Sequence, residues 1–158
     1  MKVYIAGPMA GNMEHQDYRD KIKKILRHLN IEYICPLELD MKDLGEEETN
    51  RIAEVGKKHT DGDVSIIKEM IERDLAAIDK CNVMIVYTPF PSYGTDMEAF
   101  YHSYINKRIT IVFSKNPKSW MLGLGDFFVS SYAELERVLT KCLEIESGDN
   151  DGQIDSDV

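Results

Sequence analysis

A strand-like stretch followed by a loop and a helix constrains the fold of this chain more than any other feature. Val83–Tyr87 is apolar and rich in β-branched residues, and residues 88–98 then hold two prolines and a glycine. The pattern predicts a buried strand, a loop and a helix running to residue 106. This order is typical of the carboxyl edge of a parallel sheet, where open α/β proteins bind ligands. We therefore expect Glu98 to face a crevice one turn into the helix, where peptide N–H groups favour its ionised form.

A purely structural explanation of the same stretch competes with this one. Thr95 and Glu98 have the spacing of a capping box, in which the glutamate side chain only accepts a hydrogen bond from the Thr95 amide. The stretch by itself leaves both explanations open.

The other predicted elements define a parallel α/β architecture. Because a strand, a helix and a second strand follow one another within about 35 residues, neighbouring strands are expected to be parallel. We predict a flavodoxin- or Rossmann-like fold with a five-stranded parallel sheet, order 2-1-3-4-5, and helices on both faces. The further strands are predicted at Lys2–Ala6, 31–35, Ile109–Phe113 and 126–129, and the further helices at about 15–29, at 64–80 and after Ser131.

Residues 1–145 are predicted to form one catalytic domain, with a polar insert at about 40–63. Residues 46–57 of the insert are a candidate helix, and the insert is either a functional lid or simply mobile. Residues 146–158 form an acidic tail with too little apolar content to pack, so we expect it to be disordered.

Charge and composition limit the partners of this domain. Residues 144–158 hold six of the acidic side chains and no basic one, so the net charge of −9 falls to −3 without them. The remaining body has no basic face for nucleic acid, and no apolar run is long enough for a membrane span. Three widely spaced cysteines indicate reduced thiols and a cytoplasmic location. The histidines lack ligand spacing, so we expect neither a metal nor a cofactor.

Strands 1 and 3 are predicted neighbours, which brings their following loops together. Gly7 and Gly11 in the turn after strand 1 either let the backbone approach a ligand or form an ordinary βα turn. Tyr4 on strand 1 could contact the same crevice. Asp74 interrupts the apolar stripe of the 64–80 helix, so it either pairs with Arg73 at the edge of the stripe or points into the cleft.

Two carboxylates at one cleft suit glycosidic chemistry. One attacks the anomeric carbon, and the other exchanges a proton with the leaving group. An ionised glutamate is a suitable nucleophile for this reaction.

Three motifs carry a family resemblance: KVYIAGP at 2–8, RDLxxI at 73–78 and PSYGTxxE at 91–98. With them the chain resembles the nucleoside 2-deoxyribosyltransferase family, most closely its branch of nucleoside 5′-monophosphate N-glycosidases. The resemblance implies that Glu98 is the nucleophile of a glycosyl-enzyme intermediate and that Tyr4 positions it. It implies that Asp74 contacts the sugar hydroxyls or assists proton transfer. It also favours catalysis over the capping box at Glu98.

The resemblance further implies how the substrate's 5′ position is held. Transferases of the family tend to have an acidic residue where this chain has Ser92. The monophosphate hydrolases have a serine there and another, here Ser119, supplied by the neighbouring subunit. A serine hydroxyl can donate to a phosphate that an acid would repel. The hydrolases also carry an arginine where this chain has Ala10, and His15, Arg19 or a lysine of the insert are alternative cations.

The remaining expectations concern the base and the assembly. Tyr93, with Met9 and Phe90, either forms an apolar slot for a base or packs as an ordinary loop, and Gly94 belongs to the same substrate-binding loop. The aromatic residues Phe100, Tyr101 and Tyr104 on one helix suggest a homodimer or larger assembly.

Three functions therefore compete. The first is hydrolysis of a (2′-deoxy)nucleoside 5′-monophosphate to free base and sugar 5-phosphate. The second is base exchange on free deoxynucleosides. The third, of another class, is a nucleotide sensor that binds without turnover.

Overall fold

Five parallel strands form the centre of the molecule. The computed structural model describes residues 1–8, 17–53, 61–90 and 92–148. The strand order is β2-β1-β3-β4-β5, and every pair is parallel, as predicted. The strands are β1 (Lys2–Ala6), β2 (Glu32–Ile34), β3 (Val83–Tyr87), β4 (Ile109–Phe113) and β5 (Phe127–Val129).

The helices cover both faces of this sheet, which completes the predicted doubly wound α/β fold. A π-helical turn, Tyr101–Ile105, continues α5. The α-helices are α1 (Asp17–His28), α2 (Pro36–Leu44), α3 (Glu46–Ala53), α4 (Asp61–Ile78), α5 (Tyr93–Phe100), α6 (Ser119–Leu124) and α7 (Tyr132–Ser147). Within the described residues, no helix combines the length and the apolar character that crossing a membrane requires.

The predicted helices need correction at three points. No helix was predicted directly after the second strand, but Pro36 opens α2, because proline is well accommodated in a first helical turn, where its missing N–H is not needed. The helix predicted to follow the loop at residues 88–98 already starts at Tyr93, with Ser92 as the N-cap. No helix was predicted between the last two strands, where the structure has α6.

The alternation of side chains along β1 assigns its residues to two cores. Val3 and Ile5 pack with residues of α1 and α7, such as Leu26. Tyr4 and Ala6 pack on the opposite face, with residues of α4 and α5. Successive side chains of a strand point to opposite faces, so the register of β1 directs Tyr4 toward α5.

The candidate site lies at the carboxyl ends of β1 and β3, which are neighbours in the sheet. From β1 the chain continues to β2 on one side of this pair, and from β3 it continues to β4 on the other side. Tyr4 pairs with Met84 and Ala6 with Val86, so both strands end together. The loops after β3 and β4 are tied by a hydrogen bond from Ser114 Oγ to the Thr88 carbonyl, at 3.2 Å. The turn with Met9 and Gly11 and the end of the acidic tail, from residue 149, lie outside the described residues.

Candidate active site

Tyr4 and Glu98 meet at this edge. The Tyr4 hydroxyl donates a hydrogen bond to Glu98 Oε1 at 2.8 Å, and Tyr4 is fully buried. Thr95 is buried inside α5, and its hydroxyl bonds Ser92 Oγ. The capping-box interpretation is therefore wrong, because α5 begins before Thr95 and the Glu98 carboxylate is bonded to β1 instead.

Burial determines the protonation of Glu98. Removal from water raises the pKa of the Glu98 carboxyl to about 7, the hydrogen bond from Tyr4 opposes this rise, and the charge of Asp74 adds to it. The expected stabilisation of the ionised form by the helix start is not found. Glu98 is the sixth residue of α5, and the favourable effect of exposed N–H groups fades within the first turn.

Asp74 combines the two roles that its position on α4 suggested. Its Oδ1 accepts hydrogen bonds from Arg73 Nε at 3.2 Å and Arg73 Nη2 at 2.8 Å. Its carboxylate also lines the cavity that Glu98 lines. Burial raises the pKa of Asp74, while Arg73 lowers it.

The cavity has a volume of about 1700 Å³ and runs from the sheet edge along α4, α5 and α6. Small-molecule pockets usually measure about 300 to 1,000 Å³, so it has room for more than one nucleotide. Six of the residues predicted to form the site line it: Gly7, Asp74, Ser92, Tyr93, Gly94 and Glu98. Tyr4 lies behind Glu98 and contacts the site through it. Ser119 is exposed at the start of α6, between the lining residues Lys118 and Trp120.

The two glycines of the described site differ in what they require. A Cβ on Gly7 would lie 2.2 Å from the Tyr18 hydroxyl, so close packing of α1 against the turn demands a glycine. A Cβ on Gly94 would meet nothing within 4 Å. Gly7 therefore permits the close approach of Tyr18, and the approach of a ligand to its backbone stays a prediction.

Four charged side chains at the site were missed or placed differently by sequence reasoning. Arg19 is buried and donates to the carbonyl oxygens of Ile5 at 2.9 Å and Gly7 at 2.8 Å. These two hydrogen bonds hold the backbone at the end of β1. Asp40, Lys115 and Lys118 line the cavity. Asp40 was read as part of the insert, and nothing in a loop sequence signals which surface lysines face a site.

No metal site accompanies these groups in the part of the chain that the structure describes, since it contains no group of three His, Cys, Asp or Glu side chains that could hold an ion.

Fold and site together define a doubly wound α/β protein with paired carboxylates at its topological switch point. The model of one family, nucleoside 2-deoxyribosyltransferase, matches residues 3–129. The chain belongs to the nucleoside 2-deoxyribosyltransferase family, and it is therefore an enzyme.

Two of the solved structures that match this chain illustrate the shared fold. One is the 2-deoxyribosyltransferase of Bacillus psychrosaccharolyticus, with a TM-score of 0.61 and 19% identity over 86% of this chain and 90% of that one. The other is BcmB, a CMP N-glycosidase of Clostridium botulinum, with a TM-score of 0.54 and 13% identity over 89% of this chain and 99% of that one. No curated protein sequence matches the chain.

Proposed function

We propose that this enzyme cleaves the N-glycosidic bond of a (2′-deoxy)nucleoside 5′-monophosphate and releases free base and sugar 5-phosphate. The observation that carries the proposal is the hydrogen bond from Tyr4 to Glu98, with Asp74 lining the same cavity. A carboxylate held in one orientation beside a second carboxylate is the arrangement that double displacement at a sugar carbon needs.

The reaction has two steps. Tyr4 occupies Glu98 Oε1, so Oε2 attacks C1′ while the bond from C1′ to the base nitrogen breaks and its electron pair leaves with the base. The departing base takes up a proton from solvent in the cavity, and a glycosyl ester remains on Glu98. Water then attacks C1′ and returns one proton to the solvent, while the ester bond breaks, which releases the sugar 5-phosphate and restores the Glu98 carboxylate. Asp74, held by Arg73, accepts hydrogen bonds from the sugar hydroxyls.

Charge around the cavity supports a phosphorylated substrate. Ser92 and Ser114 line it with hydroxyl groups, and Lys115 and Lys118 line it with cations. The geometry of Arg19 does not favour phosphate binding, because its guanidinium is buried against backbone carbonyls. A phosphate near the two lysines would gain charge-assisted hydrogen bonds.

The proposal includes a homodimer or larger homo-oligomer with shared active sites. Tyr93 is 91% exposed and Trp120 76% exposed, and both line the cavity mouth. Phe100, which also lines the cavity, stacks on Tyr104 with ring centroids 5.1 Å apart. A second copy covering this face would fill the excess cavity volume and bring its own Ser119 to the site.

The proposed location is the cytoplasm. Cys35, Cys81 and Cys142 are all free and buried, which fits a reducing compartment.

A nucleotide panel tests the function. We expect free base from at least one nucleoside 5′-monophosphate, a weaker reaction with the matching nucleoside, and turnover lowered by several powers of ten in Glu98→Ala. Base exchange between a free deoxynucleoside and a second base, without dependence on phosphate, would establish the transferase instead. Binding that survives Glu98→Ala, with no turnover by the wild type, would indicate a sensor.

A further inference from the structure

Arg73 connects two helices through three aspartates. On α4 it donates to the neighbouring Asp74. Its Nη2 also donates to Asp40 Oδ1 on α2 in an ion pair, and its Nη1 donates to Asp43 Oδ2 at 3.3 Å. One guanidinium therefore holds a carboxylate of the candidate site and a carboxylate from a helix that the motifs do not include.

The two aspartates of α2 differ sharply in burial. The Asp40 side chain is 0% exposed, whereas that of Asp43 is 49% exposed. An exposed ion pair contributes little, but a buried carboxylate is costly unless it is paired. Asp40 Oδ2 has no hydrogen-bond partner within the described structure, so the Arg73 pair compensates this burial through one oxygen only. Such a costly arrangement requires an explanation beyond stability.

The arrangement fixes Asp74. Adjacent residues of a helix do not face one another, so Arg73 must fold back to hydrogen-bond its neighbour. The ion pair with Asp40 holds the guanidinium in that position. Asp74 Oδ1 then accepts both hydrogen bonds from Arg73, and Asp74 Oδ2 accepts neither of them. Asp40 and Asp74 both line the cavity.

We propose that Asp40 is a positioning residue, which acts through Arg73 to hold the Asp74 carboxylate in one orientation toward the sugar. The inference rests on the proposed function for its kinetic readout. It concerns neither the nucleophile nor the phosphate, and it adds α2 to the structure that builds the site.

The charges facing this cluster give a second readout. Arg73 and Arg19 lower the pKa of Asp74, and Asp40 raises it. Asp40 also raises the pKa of Glu98, together with Asp74 and against Tyr4 and Arg19. Removing the Asp40 charge should therefore lower the pKa of Glu98 from about 7. The positioning role predicts a different change at Asp74, because loss of the hydrogen bonds from Arg73 would raise the pKa of that carboxyl.

Asp40→Asn and Asp43→Asn form a matched pair, since both remove one carboxylate bonded to Arg73 from the same helix. We expect Asp40→Asn to lower kcat on the order of 10- to 100-fold, as misplaced catalytic groups do, and to move the acidic limb of the pH profile to lower pH. Asp43→Asn should leave both within about twofold, because exposed pairs contribute little. Equal effects of the two variants would overturn the proposal.

A double-mutant cycle shows whether Asp40 acts through Arg73. We expect Asp40→Asn to cause no further loss of kcat in an Arg73→Gln background, whereas additive losses would contradict the proposal. If Asp40→Asn fails to fold, Arg73→Lys replaces it. Lysine keeps the charge but not the planar fork, and it should show the same kinetic defect, whereas full activity of Arg73→Lys would refute the inference.

Titration of the Asp74 carboxyl by carbon-13 NMR separates this inference from the proposed function. Removal of the Asp40 charge alone lowers the pKa of Asp74, whereas release of Arg73 from Asp74 raises it. A higher pKa of Asp74 in Asp40→Asn than in Asp43→Asn therefore supports the positioning role even if no nucleotide is cleaved. Nucleotide cleavage with a lower or unchanged pKa of Asp74 would leave the function standing and refute the role of Asp40.

Discussion

The Glu98 carboxyl is held between two opposing influences, burial and the Tyr4 hydrogen bond, and its pKa of about 7 expresses their balance. Only the ionised form can attack a sugar. We expect kcat/KM of the wild type to rise with pH up to about 7 and then to level off. A profile that is flat from pH 5 to 8 would show that Glu98 does not titrate as the attacking group.

Tyr4→Phe tests the hydrogen bond itself. Its loss removes an interaction that lowers the pKa of Glu98, so the acidic limb should move to higher pH, and kcat should fall because Oε1 is no longer held. Tyr33→Phe is the control, since that hydroxyl accepts a hydrogen bond from Arg27 and Tyr33 does not line the cavity. A limb that moves to lower pH would contradict the assigned role of Tyr4.

Glu98 also affects stability, in the direction opposite to activity. Its pKa is raised from about 4.5 to about 7 in the folded state, so ionisation above that range destabilises the fold. Glu98→Gln should therefore raise the free energy of unfolding by about 1 to 3 kcal/mol at pH 8. Below pH 4 both side chains are neutral and the difference should vanish. Denaturant unfolding at both pH values measures it, and an equal effect at the two values would refute the explanation.

The family resemblance implied the pairing of Tyr4 with Glu98, whereas nothing in the sequence indicated the protonation of Glu98. In the structure, the alternation along β1 and its pairing with β3 place the tyrosine beside the α5 carboxylate. The pKa of Glu98 depends on how much water the packed helices exclude, which no local pattern reveals. Asp40 was overlooked for the same reason, because its burial arises from the docking of α2 on α4.

At the scale of elements, the strands were easier to predict than the helix starts. β1, β3 and β4 have the predicted bounds, since buried parallel strands are short apolar runs with clear ends. α2 was missed because Pro36 both ends a strand and begins a helix, and these two effects have the same sequence signal. α6 is six residues long and too short to show a helical period.

The loop between β4 and α6 carries a prediction of its own. Lys115→Ala and Lys118→Ala should each raise KM for a nucleoside 5′-monophosphate on the order of tenfold, the size expected for a hydrogen bond to a charged group. KM for the unphosphorylated nucleoside should not change. Lys141→Ala on α7, outside the cavity, is the control. An equal loss with both substrates would show that the lysines do not recognise the phosphate.

At the scale of the whole molecule, the five-stranded sheet and its order follow from the sequence because a right-handed crossover leaves few alternatives. The shape of the cavity does not follow from it. The groove along α4, α5 and α6 depends on how far apart three helices lie. The exposed aromatic rim beside it consists of Tyr93, Phe100, Tyr104 and Trp120, and the sequence suggested an interface there through Phe100 and Tyr104.

That rim supports the last prediction, which concerns assembly. Large exposed apolar surface on one face of a soluble domain usually marks an interface, and a stable one buries about 800 Å² on each partner. We expect light scattering to show a homo-oligomer for the wild type. Tyr104→Glu and Trp120→Glu should dissociate it, because each places a charge in the apolar contact.

Ile145→Glu is the control, since Ile145 is also apolar and exposed but lies on α7, on the opposite face of the sheet. The dissociated variants should lose turnover as well, because each site would then lack the Ser119 of the neighbouring copy. A wild type that remains a single chain at micromolar concentration would refute the shared site. Dissociated variants with full turnover would retain the interface but show that each chain carries a complete site.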